Sequence, residues 1–135
     1  MLYFDTDVLT HYCFEQQDPI KHQQSCQLIR QTITDGLFCI STHSINELAY
    51  VLAKLKMKRE VIQERLADFC VLNPAAVTVD HIKRAAQIAY KVSFHHMSDC
   101  LHTAVAEEFC TELFTYNRSD FQLIEHHTKL KITIL

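Results

Sequence analysis

The chain has 135 residues, enough to bury a core without disulfides or a structural metal, and carries a formal net charge of −3 from 13 Lys and Arg against 16 Asp and Glu. That balance excludes a global basic field that would draw the protein to nucleic acid or an anionic membrane, so attraction to a polyanion must be local. A single glycine, Gly36, excludes the glycine-rich loops that cradle phosphates, and with them nucleotide cofactors held in that way.

In chain order, Leu2-Tyr3-Phe4 is a short apolar run closed by an acid, which predicts a buried central strand followed by a helix from about Thr6. Asp18-Pro19 supplies a cap and a first-turn proline for a second helix, with Cys26, Ile29 and Ile33 at helical spacing up to Gly36. Leu37 to Ile40 reads as another buried strand. After Ser41 a helix places Ile45, Leu48, Leu52 and Leu55 on one face, and Tyr50 and Val51 widen its apolar band enough to suggest a partner. A further helix carries Ile62, Leu66, Phe69 and Cys70 and breaks at Asn73-Pro74.

Asp80 is placed to cap the next helix, with Ile82, Ala85, Ala86 and Ala89. Ser93 to Met97 reads as a connector, followed by a helix from Asp99 to about Phe109 and a strand from Glu112 to Tyr116. After Asp120 comes a short turn or helix, and last a strand from Lys131 to Leu135. Strands alternating with helices predict an α/β sandwich around a mainly parallel sheet, one domain over residues 1–135.

The six cysteines, Cys13, Cys26, Cys39, Cys70, Cys100 and Cys110, lack zinc-knuckle or redox spacing and mostly occupy apolar periodic positions, as reduced thiols of a cytosolic protein would. No charged leader and no stretch of membrane-span length is read in the chain, so the expectation is a cytoplasmic protein. Local basic candidates are Lys54, Lys56, Lys58, Arg59, Arg118, Lys129 and Lys131, though such runs are commonly solvated helix ends.

The acids stand where chemistry is expected in an α/β protein, at the ends of strands and the starts of helices. Each has a structural alternative. Glu47 closes Ser44-Ile45-Asn46-Glu47 as in a capping box, and Asp99 and Asp120 precede apolar residues as ordinary caps do. Asp5 is left without such a role, because Thr6 is itself able to cap the first helix. Like charges gathered at one site repel by about 1 kcal/mol per close pair in water and about 4 kcal/mol in a partly buried site. A cation or proton uptake is then required, and oxygen donors favour Mg²⁺ or Mn²⁺, which suit phosphodiester hydrolysis.

The order Asp5-Thr6-Asp7-Val8-Leu9, Ser41 to Glu47, Asp99-Cys100-Leu101-His102-Thr103-Ala104 and Thr115-Tyr116-Asn117-Arg118-Ser119-Asp120-Phe121 resembles the PIN-domain ribonucleases, in particular the VapC-like toxins of toxin–antitoxin pairs. The resemblance covers nearly the whole chain, and the threonine and asparagine ahead of Asp120-Phe121 are its most specific part. It implies a three-layer PIN-like fold, Mg²⁺- or Mn²⁺-dependent endoribonuclease activity, an RNA substrate, a cognate antitoxin and a homodimer. Asp5, Glu47, Asp99 and Asp120 would be the metal-binding acids, with Thr115 and Asn117 supporting them.

Asp7 departs from the family, which more usually has a neutral polar residue there. It would tighten metal binding or cap the first helix, and the cap is the preferred reading. His102, one turn after Asp99, is read as a packed histidine that could also reach substrate, and His95-His96 as loop. Two rivals stay open. Asp5-Thr6-Asp7 also resembles the Asp-x-Asp of haloacid-dehalogenase phosphatases, although that family's later glycine and paired aspartates have no counterpart; a non-catalytic PIN-like interaction module is the other.

Overall fold

The structure is a computed structural model that describes residues 1–135. Four parallel strands form its sheet: β1 (Leu2–Phe4), β2 (Phe38–Cys39), β3 (Glu112–Thr115) and β4 (Lys131–Ile134), in the order β2-β1-β3-β4. Tyr3 pairs with Cys39 on one side and Leu113 on the other, and Leu113 pairs with Ile132. The chain leaves β1 for β2 on one flank and later returns to β3 on the other. The crevice beyond the carboxyl ends of β1 and β3 is therefore the switch point where α/β sheets place their ligands.

Seven α-helices cover the sheet: α1 (Thr6–Cys13), α2 (Pro19–Thr34), α3 (Thr42–Lys54), α4 (Arg59–Cys70), α5 (Val79–Lys91), α6 (Met97–Phe109) and α7 (Arg118–Ile124). Strand alternation assigns them to two layers. Tyr3, Cys39 and Leu113 pack with Ala85, Ile88 and Ala89 of α5, Leu101, Ala104 and Val105 of α6, and Phe121 and Ile124 of α7. Phe4, Phe38 and Ile40 pack on the other side with Val8, Leu9, Ile29, Leu48, Leu52 and Phe69 from α1 to α4. The central strand is buried on both faces, which is why its three residues read as an unbroken apolar run. No helix is long and apolar enough to cross a membrane.

Local signals mostly act as the sequence predicts, with corrections at helix starts. Asp18 caps α2 by accepting from the Ile20 and Lys21 amides, and Gly36 takes a positive φ of 68° just past its end. The cap of α5 is Thr78, with His81 closing its capping box; Asp80 lies in the exposed first turn. The capping box of α3 pairs Ser41 with Ser44, so Glu47 is a mid-helix residue free to face elsewhere. The expected connector at Ser93 to Met97 is a 3₁₀ turn over Phe94–His96 that runs directly into α6.

Candidate functional site

At the switch point lies a pocket of about 550 Å³, lined among others by Asp5, Asp7, Glu47, Asp99 and Asn117. Asp5 forms its floor at the end of β1. Its backbone N–H donates to the Phe114 carbonyl (3.0 Å), Oδ1 accepts from the Thr6 amide (2.7 Å) and Oδ2 from the Thr115 hydroxyl (2.8 Å). Asp5 is thus the cap of α1 as well as a pocket residue. The expectation that Thr6 would cap fails because the Thr6 hydroxyl instead donates to Glu47 Oε2 (2.7 Å).

The capping reading of Asp7 is also corrected. Its Oδ2 accepts from the Tyr116 amide (3.0 Å) and lies 3.3 Å from the Thr115 hydroxyl, whose proton goes to the nearer Asp5, tying α1 to the end of β3, while Oδ1 is buried without a hydrogen-bond partner. With the cap position already taken by Asp5, the side chain is drawn to the free amide beyond β3.

Glu47 stands on the α3 wall. Its Oε2 meets His102 Nε2 (2.6 Å), and its Oε1 accepts from the Ser98 hydroxyl and lies 3.4 Å from His43 Nε2. His102 is buried, as the sequence reading preferred, and its Nδ1 contacts the Tyr3 hydroxyl at 2.9 Å. Burial alone would raise the Glu47 carboxyl, but contacts with His102, His43 and Ser98 hold it well below the usual carboxylate range. Burial likewise opposes a charged His102, and Tyr3, Glu47 and Asp5 more than offset it, so its pKa lies above the ordinary histidine value.

The opposite wall is built from α6 and α7. Asp99, in the first turn of α6, is pushed up to about 8 by burial, then by the charge of Asp5 and its closeness to Asp120. Asp7 is pushed up to about 7 by burial and then Asp5. Burial raises Asp5 too, partly offset by His102 and Thr115. Asp120 runs the other way: burial is outweighed by hydrogen bonds with Asn117, Asp99 and Ser119 and by nearby His96, which lower it. Asn117 caps α7, accepting from the Asp120 amide at 3.3 Å and donating through Nδ2 to Asp120 Oδ2 at 2.9 Å.

The four acids singled out in the sequence therefore do not collapse into one tight group. Glu47 converges with His43 and His102, and Asp99 and Asp120 converge with His96; Asp5 sits between, with Oδ1 3.6 Å from His102 Nε2. Asp120 supports Asp99 from outside the pocket lining, and Thr115 is wholly buried beneath Asp5. His43 and Ser98 were missed, and His96, read as loop, instead lies with Nδ1 3.5 Å from Asp120 Oδ1. The i,i+4 spacing of His43 and Glu47 on α3 was the available signal for one of them, whereas His96 and Ser98 reach the site only through the start of α6.

The donor set fits a hard divalent cation. Carboxylate oxygens of Asp5, Asp7, Glu47 and Asp99 and the Asn117 amide surround one opening, and Asp7 Oδ1 is a buried acceptor with no donor of its own. The raised acids bind protons where no cation offsets their mutual repulsion.

No curated protein matches the chain in sequence. Among solved structures, it is similar over 100% of its length to a chain of VapBC2 from Rickettsia felis, a complex bound to a DNA fragment from its promoter, covering 99% of that chain with a TM-score of 0.72 at 18% identity. It is similar over 99% of its length to a chain of FitAB bound to an IR36 DNA fragment, covering 94% of that chain with a TM-score of 0.70 at 14% identity. At such identities these likenesses establish the fold, and they agree with the parallel sheet and its two helical layers. The family model of the PIN domain matches residues 2–126, and the chain belongs to that family.

Proposed function

We propose that the protein is a Mg²⁺- or Mn²⁺-dependent endoribonuclease that acts as the toxin of a toxin–antitoxin pair. PIN domains are typically nucleases, and the observation that carries the reading here is the convergence of Asp5, Glu47 and Asp99 from β1, α3 and α6 on one pocket at the switch point of the sheet, with Asp120 bound against Asp99. Asp5, Glu47, Asp99 and Asp120 would hold the ion, Asp120 by turning from its present partners. Thr115 and Asn117 act as positioning residues: the first fixes Asp5 Oδ2 and the second fixes Asp120 Oδ2. When bound, the ion supplies Lewis acidity, activating water and offsetting charge that develops on the phosphodiester.

The chain's own residues supply orientation. Thr6 and His102 fix one oxygen of Glu47 while Ser98 fixes the other, and the dry floor under Asp5 keeps its carboxylate from rotating away. The phosphatase alternative needs Asp7 as a mobile general acid, but its Oδ2 is held by the Tyr116 amide at the end of β3. The antitoxin partner draws on the family's VapC-like members and on the complexes to which the two similar structures belong. Exposed Tyr50 and half-buried Val51 line the pocket mouth, so a partner covering that helix would also close the site.

Cleavage of total RNA by pure protein after metal exchange tests the reading. Activity is expected with Mg²⁺ or Mn²⁺, none in EDTA, and none with Zn²⁺ alone. Robust EDTA-resistant cleavage would sink it, and phosphatase activity on small phosphoesters without RNA cleavage would select the alternative.

A further inference from the structure

Hard-metal chemistry prefers oxygen and would use the histidines on the Glu47 wall only to orient that carboxylate, yet both are metal-ligand side chains in their own right. His43 and Glu47 lie one turn apart on α3, and His102 comes from α6 with its ring centre 5.0 Å from that of His43. One ligand atom from each of the three residues lies within 4.8 Å of the others. We propose that His43, Glu47 and His102 form a second metal site, for an imidazole-preferring divalent transition ion of the zinc class, distinct from the oxygen-lined half of the pocket.

Three features carry this. First, the ligand atoms already face one another: Nε2 of His102 is 2.6 Å from Glu47 Oε2 and would open to the spacing of about 3.3 Å between ligands of a tetrahedral zinc ion, while Nε2 of His43 is 3.4 Å from Oε1 and would exchange the Ser98 hydroxyl, 2.6 Å away, for the ion. Second, His102 has the outer support that metal-bound histidines have. The Tyr3 hydroxyl donates to Ser41 (2.8 Å), so it receives the Nδ1–H of His102 (2.9 Å) and leaves Nε2 facing Glu47, free to exchange its proton for a metal ion. Third, Nε2 and Oε2 face each other directly at 2.6 Å, so a metal ion would enter by replacing the proton that joins them, without moving the side chains to new partners. His102 is buried, but His43 and Glu47 keep 23% and 27% side-chain exposure, which gives an ion a way in.

Occupancy would draw Glu47 toward the histidines and away from the acids across the pocket. If the proposed nuclease reading holds, a zinc-class ion is then an inhibitor that competes for Glu47 rather than for RNA. The binding claim itself does not depend on that reading.

The test uses Co²⁺, whose visible absorption reports coordination directly, with Zn²⁺ titrated calorimetrically against the same full-length proteins. Wild type is expected to bind one Co²⁺ with the intense bands of a four-coordinate site, displaced by Zn²⁺ and not by excess Mg²⁺. His43→Ala and His102→Gln should each remove those bands, while Cys26→Ser, which removes a thiol beside His22, should keep them. Tyr3→Phe, which keeps the core volume, should weaken Zn²⁺ binding by about 10–100-fold. Because His102→Gln sits in the core, circular dichroism checks its fold, and His43→Ala at the rim decides the matter if it is unfolded. Bands unchanged in His43→Ala, bands lost in Cys26→Ser, or only the weak spectrum of a six-coordinate oxygen site in wild type would each overturn the proposal. Loss of RNA cleavage with intact Co²⁺ bands would instead count against the nuclease reading alone.

Discussion

Glu47 and Asp99 line the same pocket, yet their chemical states diverge. Glu47 faces two imidazoles and a serine and is held charged, whereas Asp99 faces Asp5 and Asp120 and is pushed up to about 8. Burial opposes ionisation at both, so neighbours rather than depth decide the outcome. One wall carries its countercharge in the protein; the other gathers like charges, and it is there that the proposed cation would relieve the greater repulsion.

The largest expected effect breaks the acidic wall. Asp99→Asn and Asp5→Asn should each reduce RNA cleavage by about 10³-fold or more, the scale of several kcal/mol of transition-state stabilisation, when rates are measured at saturating Mg²⁺ or Mn²⁺. Cleavage at near wild-type rate by Asp99→Asn would mean that the α6 wall is not where the reaction occurs.

Next is the pH dependence of the metal-free protein. Asp7 and Asp99 have folded pKa values of about 7 and about 8 against 3.8 for the ordinary group, so between those limits the folded state holds more protons than the unfolded one and stability falls as pH rises. His102, raised above 6.5, acts in the same direction, its stabilising charge being lost as pH climbs through the folded value. His11, lowered by burial and then Lys21, opposes this only in the region below about 6.5 where an ordinary histidine takes up its proton. Thermal unfolding in EDTA should therefore show a lower Tm at pH 8.5 than at pH 5.5 (about these values, chosen to flank the shifted groups), and Mg²⁺ or Mn²⁺ should restore most of the difference at the higher pH. A Tm that rises with pH in EDTA would contradict the raised acids.

A milder change sharpens the contrast. Asp7→Asn removes one charge beside Asp5 while its amide oxygen can still accept from the Tyr116 N–H. Metal-free Tm at alkaline pH should rise by a few degrees, about 1 kcal/mol, and cleavage should change by less than about threefold. If the loss of activity matched that of Asp5→Asn, Asp7 would belong with the essential acids.

The smallest effect on the chain itself is expected at the rim. Tyr50 is 66% exposed, so Tyr50→Glu should alter stability by no more than about 0.5 kcal/mol. In the homodimer that the family resemblance implies, it should still lower the mass seen by light scattering. Wild type that is strictly monomeric at tens of micromolar (roughly, above a typical dimer's dissociation constant) would refute the homodimer, and an unchanged mass for Tyr50→Glu would free this face from that role.

Sequence alone determined the parts governed by near neighbours. An unbroken apolar triplet marks a strand buried on both faces, Asp18-Pro19 and Gly36 bound α2, and Asn117 and Asp120 sit where a strand gives way to a helix. Those local rules placed Asp5, Asp99 and Asp120 at strand ends and helix starts, while Glu47 joined them only through the resemblance to the PIN-domain ribonucleases. What each acid touches was decided only by tertiary structure. Thr6 passes over its own capping role for Glu47, 41 residues on; Asp7 turns to Tyr116, 109 residues away; and His102 closes on Glu47 across 55. A carboxylate is satisfied by whichever donor or charge packing brings within about 3 Å, and that proximity comes from the sheet order and the approach of α3 to α6, which no local spacing encodes.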